Sequence, residues 1–267
     1  KSKRKSQKNK KLHNKNSLNS QPIDRNGHFE ESDIDNIKSR IEDAKLTVKE
    51  SNYYYQSVQV LENCLKTLGK EQIDEIICFG LGKFSECVIS KHQFAFILNL
   101  SEKFDINLKK FFDPVFNQIE KKILTSYDCE LLEENHEGKY PSDVRKLTLF
   151  YLPHCPKQIT NNLLWKNWDA NKLNQIVLIC NSFQKIITST PSRLLQPNAE
   201  YILRINESTC EEILENNFKF TDIFNDTSLH YFPAANLLKV ERDFWSNKVE
   251  PVYSTEDLEL ILSKLEV

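Results

Sequence analysis

The sequence predicts a doubly wound α/β fold, a mostly parallel sheet with helices on both faces, preceded by a helical pair and a disordered basic tail. Five short apolar runs alternate with segments whose apolar residues recur at helical spacing. The first run ends in the turn Gly80-Leu-Gly82, and the fourth ends at Pro153, which cannot continue a hydrogen-bonded ladder. With 267 residues and 39% hydrophobic content, the chain can bury one large core, and we expect a single domain over residues 31–267.

Composition limits the partners of this chain. Residues 1–30 are rich in Lys, Asn, Ser and Gln, which predicts a disordered basic tail that serves either as a solubilising segment or as a nuclear address. The net charge of −2 gives no global attraction to nucleic acid, which is an unlikely partner. Seven cysteines without a CxxC pair, and no signal-peptide pattern, favour a reducing cytoplasm or nucleus. No apolar run approaches the ~20 residues of a membrane helix, so we expect no membrane partner.

Two helices are predicted before the sheet. Apolar residues at helical spacing indicate a first helix over residues 32–50 and a second over 53–68. The second helix places Tyr55, Val58 and Leu61 on its buried face and ends at Gly69.

The alternating part of the chain begins at residue 75. A strand over 75–79 is followed by a helix over 85–100, and a strand over 108–112 by a helix over 115–127. Three more strands are predicted over 129–132, 147–152 and 175–180, with helices after the last two. Residues 224–230 are interpreted as a polar turn, and residues 254–265 as a capped helix that packs on the domain.

Polar or flexible residues follow four of the predicted strands. Because the carboxyl ends of parallel strands meet at one edge of a sheet, ligands collect there. The candidate ligand-binding residues at this edge are Gly80, Gly82, Ser85, Asp113, His154, Cys155, Asn181 and Ser182.

The first two of these strand ends resemble part of a nucleotide site. Gly80 and Gly82 would let a backbone approach a phosphate, but Ser85 replaces the third glycine of the dinucleotide fingerprint, so a simple tight turn is the preferred alternative. Asp113 is placed to accept ribose hydroxyls or a proton, or simply ends the strand. A nucleotide is therefore one candidate ligand.

His154 and Cys155 allow several kinds of chemistry. Neighbouring side chains on an extended backbone point in opposite directions, which argues against a Cys–His catalytic pair. No second Cys or His lies at zinc-ligand spacing. Cys155-Pro156 is a short motif found where a thiolate ligates haem iron, with His154 as a second candidate ligand. The alternative is a hydrogen-bonded His beside a half-buried Cys.

Two further groups have a structural and a functional interpretation. Asn181 and Ser182 either cap the next helix or bind a ligand across the edge. Asn225, Asp226 and His230 either form a polar turn or fold back over the edge that holds His154.

Several motifs together resemble one known family, the sensitivity to red light reduced, or SRR-like, family. The resemblance covers residues 74–190 strongly and extends to about 232. Leu152 and Cys180 depart from it, since Met and Gly are usual at these positions. The matching motifs are Gly80-Leu-Gly-Lys-Phe-Ser85, Gln93, Asp113-Pro-Val-Phe116, Glu120, Thr148-Leu-Phe-Tyr-Leu-Pro-His-Cys155, Asn167-Trp168, Asn181-Ser-Phe183 and Phe224-Asn-Asp-Thr-Ser-Leu-His230.

The resemblance implies a Rossmann-like fold and a regulatory protein of cytoplasm and nucleus. It also implies a role in circadian clock input, with links to haem biosynthesis, and no established reaction. Two hypotheses follow. The favoured one is a ligand-sensing or scaffold module, with haem or a nucleotide as the candidate ligand and unidentified regulatory proteins as partners. The other is an enzyme that acts on a nucleotide-like or anionic substrate and uses Asp113 or His154 for proton transfer.

Overall fold

The computed structural model describes residues 31–253. The predicted basic tail and the predicted helix over 254–265 lie outside the described residues. The helices are α1 (Glu31–Lys49), α2 (Asn52–Leu68), α3 (Val88–Lys103), α4 (Gln118–Ser126), α5 (Lys157–Lys166), α6 (Ala170–Leu173), α7 (Phe183–Ser189), α8 (Ser192–Ile205), α9 (Ala234–Leu237) and α10 (Arg242–Ser246). The strands are β1 (Glu75–Phe79), β2 (Leu108–Phe112), β3 (Cys129–Leu131), β4 (Thr148–Tyr151), β5 (Ile176–Asn181), β6 (Cys210–Ile213) and β7 (Thr227–Tyr231).

The strands form a seven-stranded sheet in the order β3-β2-β1-β4-β5-β7-β6. Strands β1 to β5 are parallel, β7 runs antiparallel to β5, and β6 runs antiparallel to β7. Chain order reverses between the neighbouring strands β1 and β4, which is the switch point where ligands bind in open α/β sheets. The predicted mostly parallel, Rossmann-like α/β fold is confirmed.

Helices cover both faces of the sheet, as predicted. On one face α1, α2, α3 and α4 enclose a core that contains Phe94, Phe96 and Phe111. On the other face α5, α7 and α8 enclose a core that contains Leu163 and Phe183. Every residue of β1 and β4 is buried, because both strands are central and covered on both sides.

The sequence did not predict β6 and β7. The expected polar turn over 224–230 is wrong from Thr227 onward, because Thr227, Ser228 and His230 are buried in β7. The polar residues of this segment are typical of a turn, and their burial on both faces of β7 cannot be read from the local sequence.

Three helix details also differ from the prediction. The predicted helix at residue 85 begins at Val88, because residues 83–87 form a turn closed by the bond from the Cys87 amide to the Lys83 carbonyl. Helix α4 begins after Asn117, whose side chain caps it. Tyr55 is 63% exposed rather than buried, because the inward stripe of α2 runs through Tyr54, Val58 and Leu61.

No helix among residues 31–253 combines the length and the apolar character that a membrane crossing requires.

Candidate functional site

The turn after β1 is shaped by a close contact between two of the predicted site residues. Gly80 has a φ of +69°, and a Cβ atom added there would lie 2.3 Å from the Cys155 Sγ atom. The Cys155 thiol in turn donates to the Phe79 carbonyl at 3.2 Å. Glycine is therefore required at position 80 both for its backbone angle and for the space that the sulfur occupies.

Asp113, at the end of β2, holds the same turn from the neighbouring strand. Its Oδ2 atom accepts the Gly82 amide at 2.7 Å, and its Oδ1 atom accepts the Val115 amide at 3.0 Å. Gly82 has a φ of +78°, and a Cβ atom there would lie 2.8 Å from the Ser90 Oγ atom. The first role of Asp113 is thus to fix the glycine turn.

Ser85 faces the interior of the protein. Its amide and its hydroxyl both donate to the Glu120 Oε1 atom, at 3.0 and 2.9 Å. Glu120 is fully buried, and its Oε2 atom accepts the Asn117 amide at 3.0 Å. This carboxylate ties the turn after β1 to the start of α4, so Ser85 has a structural role and does not face a cavity.

A cavity of about 130 Å³, here called the edge cavity, opens at the carboxyl ends of β1, β2 and β4. Its apolar lining comes from the strand ends and from the start of α5. Its polar lining comes from Asp113 and from the loop between β3 and β4. The lining residues are Phe79, Gly80, Phe112, Asp113, Pro114, Asn135, His136, Glu137, Gly138, Cys155, Pro156 and Ile159.

His154 points away from the edge cavity. It has a φ of +51° and is exposed, and its Nδ1 atom lies 3.3 Å from the Gln93 Nε2 atom. Its Nε2 atom lies 3.3 Å from the Asn225 carbonyl oxygen. Since the carbonyl only accepts and the amide nitrogen only donates, this arrangement assigns the donor role to Nε2 and the acceptor role to Nδ1.

A second, more open depression, here called the His154 cleft, lies on that side of the edge and has a volume of about 300 Å³. Asn181 donates to the Cys155 carbonyl at 2.9 Å, and Ser182 caps α7 by accepting the Lys185 amide at 3.0 Å. Lys185 also pairs with Asp226. The lining residues are His154, Asn181, Ser182, Lys185, Ile186, Ser189, Asn225 and Asp226.

Eight of the predicted site residues therefore fall into two separate groups, whereas Gly82, Ser85 and His230 line neither depression. Gly80, Asp113 and Cys155 line the edge cavity. His154, Asn181, Ser182, Asn225 and Asp226 line the His154 cleft. His154 and Cys155 line different depressions and do not form a catalytic pair, but the reason differs from the prediction: His154 has a φ of +51°, so the backbone there is left-handed and not extended.

His230 lies inside the protein and not at the edge. Its ring stacks on Phe183 with centroids 3.9 Å apart, and its Nδ1 atom lies 3.5 Å from the Cys180 Sγ atom. Burial lowers the pKa of His230, so the ring is neutral and its Nε2 atom accepts the Phe183 amide at 3.3 Å. The Glu211 carboxylate lies 3.5 Å from the same nitrogen. The contacts from Cys180 to His230 and from His230 to Glu211 follow the sequence of a Cys–His–acid catalytic triad. However, the Cys180 thiol is 1% exposed and burial raises its pKa, which disfavours the thiolate that such a triad uses.

The surroundings of Cys155 do not fit a haem-iron ligand. The thiol is 5% exposed, it donates to a carbonyl, and burial raises its pKa, whereas iron binds the thiolate. The edge cavity is also too small for a porphyrin. Among residues 31–253, no group of three or more His, Cys, Asp or Glu side chains could hold a metal ion.

Sequence reasoning missed most of the apolar lining of the edge cavity. Phe79 and Phe112 are the last residues of β1 and β2, and Ile159 lies in the first turn of α5. A strand's final apolar residue is usually assigned to the core, so only the three-dimensional arrangement reveals its place in a cavity. The loop over 135–138 gave no signal, because its residues match no motif.

The fold and the edge cavity together define a Rossmann-like α/β protein with an apolar cavity at the switch point of its sheet. The family model of the SRR1 domain matches residues 37–231. The chain belongs to the SRR1 domain family.

Relatives with curated names agree with this assignment. An SRR1-like protein of Drosophila melanogaster is 32% identical over 224 residues, which cover 84% of this chain and 78% of the relative. An SRR1-like protein of Mus musculus is 39% identical over 133 residues, covering 49% of this chain and 53% of the relative. The Arabidopsis thaliana protein SENSITIVITY TO RED LIGHT REDUCED 1 is 26% identical over 219 residues, covering 74% of this chain and 75% of the relative.

Among solved structures, the plantazolicin methyltransferase BpumL in complex with SAH aligns with a TM-score of 0.32 and 14% identity. The alignment covers 76% of this chain and 90% of that chain. A similarity at this level carries no argument about function.

Proposed function

We propose that this protein is a regulatory module that binds a small, largely apolar ligand in the edge cavity and thereby controls its binding to a protein partner. The observation that carries the proposal is the cavity itself, which lies at the switch point and is lined by Phe79, Phe112 and Ile159. Asp113 lines the same cavity and gives it one strong hydrogen-bond acceptor. The ligand class that suits this lining and this volume is a small flat apolar group carrying a donor, such as the base of a nucleoside, with the ribose outside the cavity.

The finer biological role in this proposal comes from the family resemblance. It comprises regulation in a circadian clock input pathway, a link to haem biosynthesis, and action in the cytoplasm and nucleus with protein partners. The haem link in this proposal is regulatory, because the surroundings of Cys155 do not suit binding of haem iron by its thiol.

A thermal-shift titration of the purified chain with adenosine, ADP, ATP and haem tests the proposal. We expect a nucleoside or nucleotide to raise the melting temperature in a saturable way, since a ligand at 100 times its Kd stabilises by about 2.7 kcal/mol. The variant Phe112→Leu removes one ring of the lining and is expected to weaken binding about three- to tenfold. His154→Ala, which lies outside the edge cavity, is the matched control and should bind as the unaltered chain does.

Two results would redirect the proposal. Saturable binding that His154→Ala abolishes and Phe112→Leu leaves unchanged would move the ligand to the His154 cleft. Turnover of a nucleotide-like substrate that depends on His154 would favour the enzyme hypothesis, for which the exposed imidazole at that cleft is the supporting observation.

A further inference from the structure

The last described segment of the chain lies on the surface of α5 and α8, and residues 244–253 are here called the C-terminal strap. Arg204 donates to the Phe244 carbonyl at 2.7 Å and to the Asn247 carbonyl at 2.8 Å. The Tyr201 hydroxyl donates to the Val249 carbonyl at 2.7 Å and accepts the Val249 amide at 2.8 Å. The strap is therefore fastened to α8 mainly through its backbone.

The strap packs apolar side chains mainly at its start, where the partly buried Phe244 and Trp245 lie against Trp168. Beyond that point, residues 246–252 bury little of themselves. No residue of α10 is buried, and the side chains of Val249 and Val252 are 67% and 85% exposed. Segments that are held by exposed polar contacts, with few buried apolar ones, open at lower free energy than the core. The strap is thus the kind of segment that can detach while the sheet remains folded.

Residues 136–142 belong to the loop between β3 and β4 and are here called the wall of the edge cavity. The far end of the strap is joined to this wall through one buried side-chain amide, that of Asn162. Asn162 of α5 is fully buried, and its Nδ2 atom donates to the Glu137 carbonyl at 2.7 Å. Its Oδ1 atom accepts the Tyr253 hydroxyl at 2.7 Å. The same hydroxyl accepts the Asn161 Nδ2 atom at 3.0 Å. Wall and strap therefore share one fully buried side chain.

Two further contacts couple the wall to its surroundings. Lys139 lies 2.7 Å from the Glu250 carboxylate of the strap and 3.7 Å from that of Glu137. Gly138 packs so closely on α5 that a Cβ atom there would lie 2.4 Å from the Ile159 carbonyl oxygen. A surface ion pair such as Lys139–Glu250 stabilises the contact between wall and strap only slightly, so the side-chain amide of Asn162 is the main connection between them.

We propose that the C-terminal strap is a latch for the wall of the edge cavity: docking of the strap orders residues 136–142, and release of the strap loosens them. The family model ends at residue 231, so the strap lies outside the part of the chain that the model matches. The inference concerns regulation of the same cavity and takes its purpose from the proposed function. Its test needs no ligand, so its outcome is independent of whether any compound binds.

Hydrogen–deuterium exchange of the full chain, with and without Tyr253→Phe, is the direct test. The variant keeps the ring and removes the hydroxyl that reaches Asn162. We expect amide exchange to accelerate about three- to tenfold both in the strap and in residues 136–142, the range that one hydrogen bond provides. Val252→Ala, next to Tyr253 and exposed, is the matched control and should leave both regions unchanged. Unchanged exchange in residues 136–142 of Tyr253→Phe would overturn the proposal.

The reverse experiment perturbs the wall and observes the strap. Gly138→Ala forces the wall away from α5 and does not touch residues 249–253 directly. Because coupling between two sites is reciprocal, we expect faster exchange at residues 249–253 in this variant. A strap with unaltered exchange would show that wall and strap open independently, and the latch would be rejected.

Discussion

At the scale of single residues, the carboxyl edge is organised by a few side chains that bond to backbone atoms. Asp113 holds the amides of Gly82 and Val115, and Cys155 donates to the Phe79 carbonyl. Such contacts give a glycine, an acid and a small thiol a structural reason to occupy these positions. They also form one rim of the edge cavity, so structural and ligand-binding roles coincide at Asp113 and Cys155.

The contact between Gly80 and Cys155 yields a stability prediction. Gly80→Ala should lower the free energy of unfolding by about 2–4 kcal/mol, because it adds backbone strain and a clash with sulfur. Adding Cys155→Ala should recover part of that loss, since it removes the clashing atom. Urea denaturation of the single and double variants measures both effects.

Gly69 provides the control for this prediction. It has a φ of +65°, close to that of Gly80, but nothing lies within 4 Å of an added Cβ atom. Gly69→Ala should therefore cost only the backbone strain, about 1–2 kcal/mol. Equal losses for the two glycine variants, with additive effects of Gly80→Ala and Cys155→Ala, would contradict the proposed clash.

At the scale of secondary structure elements, Glu120 connects the turn after β1 to α4. It completes the capping box of α4 with Asn117 and accepts both the amide and the hydroxyl of Ser85. Three donors thus depend on one buried carboxylate. The sequence predicted α4 and the turn separately, and only the fold shows that they share this side chain.

Replacing Glu120 tests this connection. Glu120→Ala leaves three donors without an acceptor and should lower the free energy of unfolding by about 3–5 kcal/mol, whereas Glu120→Gln keeps an acceptor and should cost less. Lys121→Ala, on the exposed side of the same helix, is the control. Chemical denaturation measures all three, and a loss in Glu120→Ala no larger than in Lys121→Ala would refute the connecting role.

The same scale shows why some elements were predictable. Strands β1, β4 and β5 are continuous apolar runs that end at Gly80, Pro153 and Asn181, so their positions were evident. Strand β7 contains Ser228 and His230, which are both fully buried, and no local pattern marks the burial of polar residues. The spacing of apolar residues predicts a strand or helix only where each face of that element is either buried or exposed along its whole length.

At the scale of the whole molecule, the sheet brings the predicted strand ends to one edge but divides them between two depressions. The mostly parallel sheet was predictable, because strands that alternate with helices pair in parallel, whereas the antiparallel strands β6 and β7 were not predicted. The division of the strand ends between the edge cavity and the His154 cleft was not predictable, since it depends on the direction in which the side chains of His154 and Cys155 point after β4. The positive φ of His154 sends its ring toward Asn225, while Cys155 turns toward Gly80.

The central claim is that the edge cavity, and not the His154 cleft, binds the ligand. Methyl NMR of isoleucine residues during titration with adenosine tests it directly, because Ile159 lines the edge cavity and Ile186 lines the His154 cleft. We expect a saturable shift of the Ile159 methyl signal while the Ile186 signal stays in place. A shift of Ile186 with Ile159 unchanged would place the ligand in the His154 cleft and rule out binding in the edge cavity.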